Sequence, residues 1–488
     1  MHAEAADRFR NPLPGFVLGD PFVLAVGRAF YLYGTNDGPP LPDGRVVPVY
    51  RSTDLITWEF VGGALEPQRP GADVWAPEVL RANGRYHMVV SFGDVDREGH
   101  ALWVATADRP EGPFTWAKRI SEPSERFSID GAWLRDDDGR LYLYRCLDFV
   151  QDDEPPHGTG IVVQPMRDPL TPDGPPRTVL RAHSPWHLFE ADRPMPLYEG
   201  RRFARWTTIE GPAPVRRAGR VFCGYSGGNY QFAYGTGEAV ADDPLGPYTD
   251  LRGREGPLFG TVPGLVDGPG HFSVVQPDRL HDWIVLHGRT PGGPGRQVWL
   301  CPVRWEGDGV QIPPLSTEPQ PSPRVLSPLF QTVGPLGPGW TVTAEGLEHR
   351  GEAAGTVSLP IRLAGDWAVE LGIAALPDAP GPAHLTLAGG GAGEIQVSIR
   401  LVEGGGVRVE IPGQSPVTSP LPTLGDEVYR REATQPLLVR NVNGRLEVRL
   451  DGVLMAAAPW RRGDLEGLAL SAGGNLAVRD GGVARGDG

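Results

Sequence analysis

Five times before residue 300 this chain runs a strand, a polar turn and a second strand. Asp20 opens DPFVLAVGRAFYLYGT, Ala76 opens APEVLRANGRYHMVVSF, Asp130 opens DGAWLRDDDGRLYLY, Glu210 opens EGPAPVRRAGRVFCGYS and His271 opens HFSVVQPDRLHDWIVLHG. Turn signals such as Asn83-Gly84 and Asp138-Gly139 lie inside single copies, which favours hairpins over parallel crossovers. The repeat predicts an all-β protein whose first part is a five-bladed β-propeller. Each blade points its innermost strand at the central axis, so residues at equivalent places in distant copies converge. Asp20, Asp130 and Glu210 are therefore expected to meet at one end of the channel. Three carboxylates gathered in one pocket are what acid/base hydrolysis requires.

The repeat ends near residue 312, and composition shifts to Pro and Ser over 313–337 (IPPLSTEPQPSPRVLSPLF lies across this boundary), the mark of an exposed, semi-rigid linker. Residues 338–488 alternate apolar and polar in TVSLPIRL, WAVELGIAA and EIQVSIRLVE, with an Asn443-Gly444 turn, and predict a β-sandwich of jelly-roll or concanavalin-like type. No aromatic platform stands out there, so a domain that packs on the propeller is favoured over a carbohydrate-binding one. The run Gly389 to Gly393 opens no helix after a strand, and reads as a loop, not a phosphate cradle.

A chain of 488 residues with 40% hydrophobic content is long enough for two such cores. Its net charge of -14 argues against nucleic acid or an anionic membrane as partner. A small or neutral ligand is expected. The opening MHAEAADRFRNPLPGF has neither a basic nor an apolar leader segment, which points to the cytoplasm unless a longer chain carries a signal peptide. Cys146, Cys223 and Cys301 are odd in number, widely spaced and set in apolar runs, so buried free thiols are expected.

Asp20 in GDPF, Trp75 to Glu78 in WAPE, Asp130 in SIDGAW, Glu210 in IEGPA and His271 in GPGHFS, in this order over about 300 residues, resemble the family 43 glycoside hydrolases. The resemblance implies that Asp20 is the general base, that Asp130 orients and tunes the acid, and that Glu210 is the general acid. It also implies removal of α-L-arabinofuranosyl or β-D-xylosyl units by an inverting reaction, and the expected cytoplasmic location favours exo action on short plant-derived oligosaccharides, with aryl glycosides as convenient substrates. The chemistry is consistent in itself. A single displacement needs a base for water and an opposed acid for the leaving oxygen, about 6.5 to 9.5 Å apart. A third carboxylate beside the acid raises its pKa and keeps it protonated. The plainer alternative, that Asp20 and Asp130 only cap turns, is disfavoured because Gly19, Gly131 and Gly211 flank the three acids and allow close approach to a ligand.

Among aromatic residues Trp75 is expected to stack on a sugar ring, with Phe22, Trp133 and Trp206 as further candidates for that role or for the core. His271 stands where the family places a histidine at the propeller axis, often near a calcium ion bound through water. A hydrogen-bonded core histidine is the equal alternative, and no cofactor is otherwise required. Arg289 in LHGRT lies where the resemblance implies an arginine that contacts the site, binding Asp20 or a sugar hydroxyl, with an ordinary surface salt bridge as the alternative. His183 and His187 are four apart, but Pro185 between them disfavours a helical zinc pair and suggests a loop at the pocket rim. Two other classes remain open at this point: a propeller that transfers fructosyl units by retention, and a non-catalytic sugar-binding propeller.

Overall fold

The structure, a computed structural model, describes residues 7–486 apart from 70, 95–97, 151–155, 253–254, 308, 377–382, 390–394, 402–404, 412–413, 426–429, 431–432 and 461–464. Most of the Gly389 to Gly393 run lies outside the described residues. The five repeats form five separate sheets in chain order, antiparallel except where His157–Asp168 pairs in parallel with Arg201–Thr207 in the third. Their inner strands are Leu18–Val26, Asp73–Ala82, Ser128–Arg135, Ile209–Arg217 and Asp267–Val275. Each inner strand touches the next, and the last touches the first, so the ring is closed. The last sheet has three strands, and its outer edge is taken by the N-terminal segment. There Leu13 N–H donates to Val298 O and Leu18 N–H to Arg296 O, each at 2.8 Å, and the Asn11 side chain bonds both N–H and C=O of Leu300. Apolar side chains fill the seams: Tyr33, Val49, Met88 and Val90 join blades one and two, and Phe16, Leu32, Val285 and Val298 close blade five onto blade one.

Every inner strand carries the same irregularity at its channel end. Pairing slips between Gly19 and Phe22, Trp75 and Glu78, Ile129 and Ala132, Glu210 and Ala213, and Gly270 and Ser273. At each slip one residue is left-handed: Asp20 at φ 49°, Ala76 at 47°, Asp130 at 56°, Gly211 at 56° and His271 at 44°. Such bulges re-aim a side chain and interrupt pairing. The freed N–H groups are then used between blades. Ala76 N–H donates to Thr35 Oγ1 (2.9 Å), Asp130 N–H to Ser91 Oγ (3.0 Å), His271 N–H to Ser226 Oγ (2.8 Å) and Asp20 N–H to His287 Nδ1 (3.1 Å). In blade three Cys146 stands where the others have a hydroxyl or imidazole, and Gly211 N–H goes instead to Asp130 Oδ2 at 3.0 Å. Glu210 is thus one residue out of step with Asp20 and Asp130. Gly211, not Glu210, holds the equivalent place.

The C-terminal part is a sandwich of an eight-stranded and a six-stranded antiparallel sheet. In Gly355–Leu363 and Ile395–Leu401 buried and exposed residues alternate, as a sheet with one wet face requires. Trp367–Ala375 is buried on both faces. Trp367, Val369 and Leu371 point into the sandwich core, while Ala368 packs with Leu280 and Leu326, and Glu370 pairs with Arg279. The sandwich sits on the propeller's base, where the inner hairpins turn. The Gly84 turn lies against Ala433, the Gly139 turn against Val453 and the Gly27 turn against Asp480. Among the described residues the hydrogen bonds and ion pairs joining the two parts lie on this base, at the far end of the inner strands from Asp20 and Asp130. The segment between them is no exposed spacer. Leu315 and Leu326 are buried, Gln320–Pro321 pairs with Arg8–Phe9, and the Arg8 and Arg10 side chains hold the carbonyls of Pro319 and Thr317. Apolar anchors among its prolines strap it to the propeller.

Candidate active site

The three acids converge as the repeat requires. Asp20 Oδ1 lies 3.2 Å from His271 Nδ1, Asp130 Oδ2 lies 3.8 Å from the same nitrogen, and Glu210 is joined to Asp130 through the N–H of Gly211. Both aspartates are buried, and they differ in company. Asp20 accepts from Arg296 Nη1 at 2.7 Å and from Thr35 Oγ1 at 2.6 Å, and His287 Nδ1 lies 3.2 Å from it. Burial alone raises its pKa, but Arg296 and then His271 outweigh it and hold the carboxyl well below the usual range. Among the described residues no cation pairs directly with Glu210, and Arg296 acts on it only from a distance. Burial first, and the charge of Asp130 second, push it up to about 8, while a hydrogen bond from Tyr234 Oη at 2.9 Å pulls the other way. Asp130 is itself raised by burial, with His271 opposing. Asp20 is held ionised and Glu210 protonated at neutral pH, while the His271 imidazole is shared by Asp20 and Asp130.

Other expectations divide. Half-buried Trp75 stacks one ring face on His100, 3.8 Å away and 20° from parallel. Burial holds His100 neutral, lowering it to about 3, so it serves as a flat apolar backing. Trp133 is a core residue between blades two and three, and Trp206 belongs to a small cluster with Val150, Met195 and Phe203. Phe22 packs toward Tyr33 in the seam of blades one and two. All three lie beyond the bulge or on another sheet edge, where side chains fill seams. Arg289 does not reach Asp20: it ends its strand and lies over the Tyr230 ring at 5.7 Å. Arg296 takes that position because its C=O is tied to Leu18 N–H, beside Gly19. A Cβ on Gly19 would stand 1.9 Å from the Arg296 guanidinium carbon, and one on Gly211 would meet the His271 ring at 3.0 Å. Gly131 faces Val89 and Leu102. These glycines make room for protein side chains, not for ligand.

His183 and His187 are no zinc pair. Pro185–His187 is a single 3-10 turn, His187 Nδ1 accepts the N–H groups of His183 and Ser184, and His183 Nε2 meets Asp250 at 2.7 Å. Cys146, Cys223 and Cys301 are buried free thiols. Calcium takes oxygen ligands, about six to eight of them. His271 offers nitrogen, and the Asp20 oxygens are engaged by Arg296 and Thr35. Among the described residues no group of three or more His, Cys, Asp or Glu is disposed to hold a metal. The residues present do not fit a directly bound calcium. Thr35, Arg296, His287 and Tyr234 were not singled out from the sequence. Only Thr35 carried a signal, since Ser91 and Ser226 recur at its place in the second strands.

The sequence model described as "Glycosyl hydrolases family 43" matches residues 9–311. An extracellular exo-alpha-(1->5)-L-arabinofuranosidase of Streptomyces avermitilis is 24% identical over 255 residues, 49% of either chain. A beta-xylosidase of Xylanibacter ruminicola is 27% identical over 239 residues, 44% of this chain and 64% of that one. The chain thus spans about half to two thirds of the length of these curated relatives. The crystal structure of a thermostable family-43 glycoside hydrolase is 30% identical, covers 65% of this chain and 99% of its own, and superposes with a TM-score of 0.55. A xylan beta-1,4-xylosidase structure from Bacillus halodurans C-125 covers 97% of this chain and all of its own at 16% identity and a TM-score of 0.50, a likeness of fold across both parts.

Proposed function

The chain belongs to the glycosyl hydrolases of family 43, and from that premise we propose that it removes terminal α-L-arabinofuranosyl or β-D-xylosyl units from short oligosaccharides by a single, inverting displacement. The observation that carries this reading is the different company of two carboxyls at one axis: Asp20 is bound by Arg296 and Thr35, which favour its ionised form, and Glu210 lies beside Asp130 and takes a hydrogen bond from Tyr234, with burial and Asp130 favouring its protonated form. Asp20 takes a proton from water as the water oxygen bonds to the anomeric carbon. Glu210 gives its proton to the glycosidic oxygen, which leaves with the electron pair of the breaking C–O bond. Asp130 keeps that proton on Glu210 until transfer. Trp75, backed by His100, stacks against the sugar. No step is routed through a metal.

The specificities of the relatives, arabinofuranosidase and xylosidase, support the pentose choice. Neither fructosyl transfer nor a non-catalytic binding role is favoured by a family match that spans the whole propeller with all three acids present. The test is a panel of aryl glycosides. Hydrolysis confined to α-L-arabinofuranosides, β-D-xylosides or both is expected, and turnover of fructosides alone, or of nothing, would overturn the reading.

A further inference from the structure

One loop touches both sides of the chemistry. Asn229 is buried and organises it: its C=O accepts Phe232 N–H (3.2 Å) and Ala233 N–H (2.8 Å), its Oδ1 accepts Gln231 N–H (3.0 Å), and its Nδ2 donates to Phe189 O (3.2 Å). The loop sets Tyr230 under Arg296, 5.6 Å from ring centre to guanidinium, and Arg296 holds Asp20. It also sets Tyr234 on Glu210. The Tyr234 ring is only 2% exposed and lies parallel to His287, 4° apart in plane and 5.8 Å between centres. Its other boundary is Gly270, where a Cβ would stand 2.5 Å from Tyr234 Cδ1. The phenol has little freedom to point elsewhere.

We propose that Tyr234 is the positioning residue of the acid, its hydroxyl deciding which oxygen of Glu210 carries the transferable proton. The inference rests on the acid role given to Glu210 above. The Tyr234 proton lies between Oη and Oε1, so the lone pair of Oε1 that faces it is occupied and the carboxylic proton resides on Oε2. In the reaction the Oε2–H bond breaks as the bond from that proton to the leaving oxygen forms. The electron pair left behind spreads onto Oε1, where the phenol already donates. A hydrogen bond to an oxygen gaining charge strengthens, so it favours the transition state over the ground state. Burial, with the nearby charge of Glu210 adding to it, keeps the phenol itself protonated throughout.

The ionisable groups that face Glu210 are Asp130 and Asp20, which raise it, and Arg296 and Tyr234, which lower it; His271 and His287 stand behind Asp20, and Cys146, beside the acids, is kept neutral by burial. Deleting the phenol hydroxyl therefore removes a lowering influence. In Tyr234→Phe the alkaline limb of kcat/KM should move to higher pH. Turnover of an alkyl or disaccharide substrate should fall about tenfold, the worth of one hydrogen bond of ordinary strength. An aryl glycoside of the same sugar with an acidic phenol needs little protonation and should lose far less. The limb position and the ratio of losses do not depend on how much of the variant folds. Equal losses on both substrates, or a limb that stays or moves down, would overturn the proposal. A wild-type protein inactive on every glycoside would instead overturn the function proposed above.

Discussion

The propeller and the sandwich are both antiparallel β, yet they place buried charge and backbone strain differently. Among the described residues of the sandwich the left-handed ones other than glycine are Asn443, Asp451 and Asp480, types that tolerate that conformation, and the first two sit in turns. In the propeller they include Ala76 and His271, on inner strands at the axis. Residues held in this region cost about 1–3 kcal/mol each and persist where the surroundings over-determine them. Here the surroundings are the neighbouring blades, which accept the displaced N–H groups. Buried charge follows the same division. Among the described residues the buried acids of the sandwich are Glu370 and Asp451, and both answer propeller arginines: Glu370 pairs with Arg279, and Asp451 with Arg81 and Arg135. At the propeller axis, among the described residues, only Asp20 has an arginine, Arg296, while Asp130 shares the His271 imidazole with it and lies beside Glu210. Regular alternation gives a support, and a repeated irregularity gives a site.

Breaking each half should give different phenotypes. The largest effect is expected at the axis. Asp20→Ala should lower turnover of every substrate by about 10³-fold or more, while Glu210→Ala loses about 10²–10⁴-fold on alkyl glycosides and much less on aryl glycosides with acidic phenols. Steady-state kinetics on the two substrate types checks this, and a Glu210 variant that loses both equally has lost something other than its acid. Next comes the joint between the halves. Arg279 donates to both oxygens of Glu370, at 2.6 and 2.9 Å, and also to Gly27 O, so one guanidinium ties blade five, blade one and the sandwich. Glu370→Ala strands that buried cation and should cost about 3–5 kcal/mol of stability. Denaturant unfolding measures the loss, and KM should be unchanged because the pair lies at the base. A sharply raised KM in a folded variant would mean that the sandwich helps build the pocket.

The smallest effect sharpens the electrostatics. Asp130→Asn removes a negative charge beside Glu210, so the acid loses its proton more readily. Its pKa, now about 8, falls, and the alkaline limb of the rate profile moves down by about one pH unit. Burial, the larger cause, remains, so the limb should not drop to that of a free carboxyl. An unmoved limb would remove Asp130 from this role.

The fold was legible because the repeat and the alternation are properties of periodicity, which survives without knowledge of contacts. Asp20 and Asp130 were legible for the same reason: they head their copies. Glu210 was found with them, but its offset by one residue was not, because pairing registers rather than sequence spacing decide which residue takes the left-handed place. Arg289 was named from the resemblance, and Arg296 carried no signal in the sequence. The residue that binds Asp20 is instead chosen by a main-chain bond from Leu18, nearly 280 positions away in sequence. Tyr234 was invisible because its loop belongs to no repeat. The anchoring of the segment from residue 313 onward was not legible because its proline content hides the few leucines that hold it to the propeller.

The central claim is that Asp20 activates water and does not itself bond to sugar. Proton NMR of the first sugar released from an aryl α-L-arabinofuranoside or β-D-xyloside, recorded before mutarotation, tests it most directly. Single displacement predicts the anomer opposite to that of the substrate. A first product of retained configuration would make Asp20, or another group at this axis, a nucleophile, and would contradict the account.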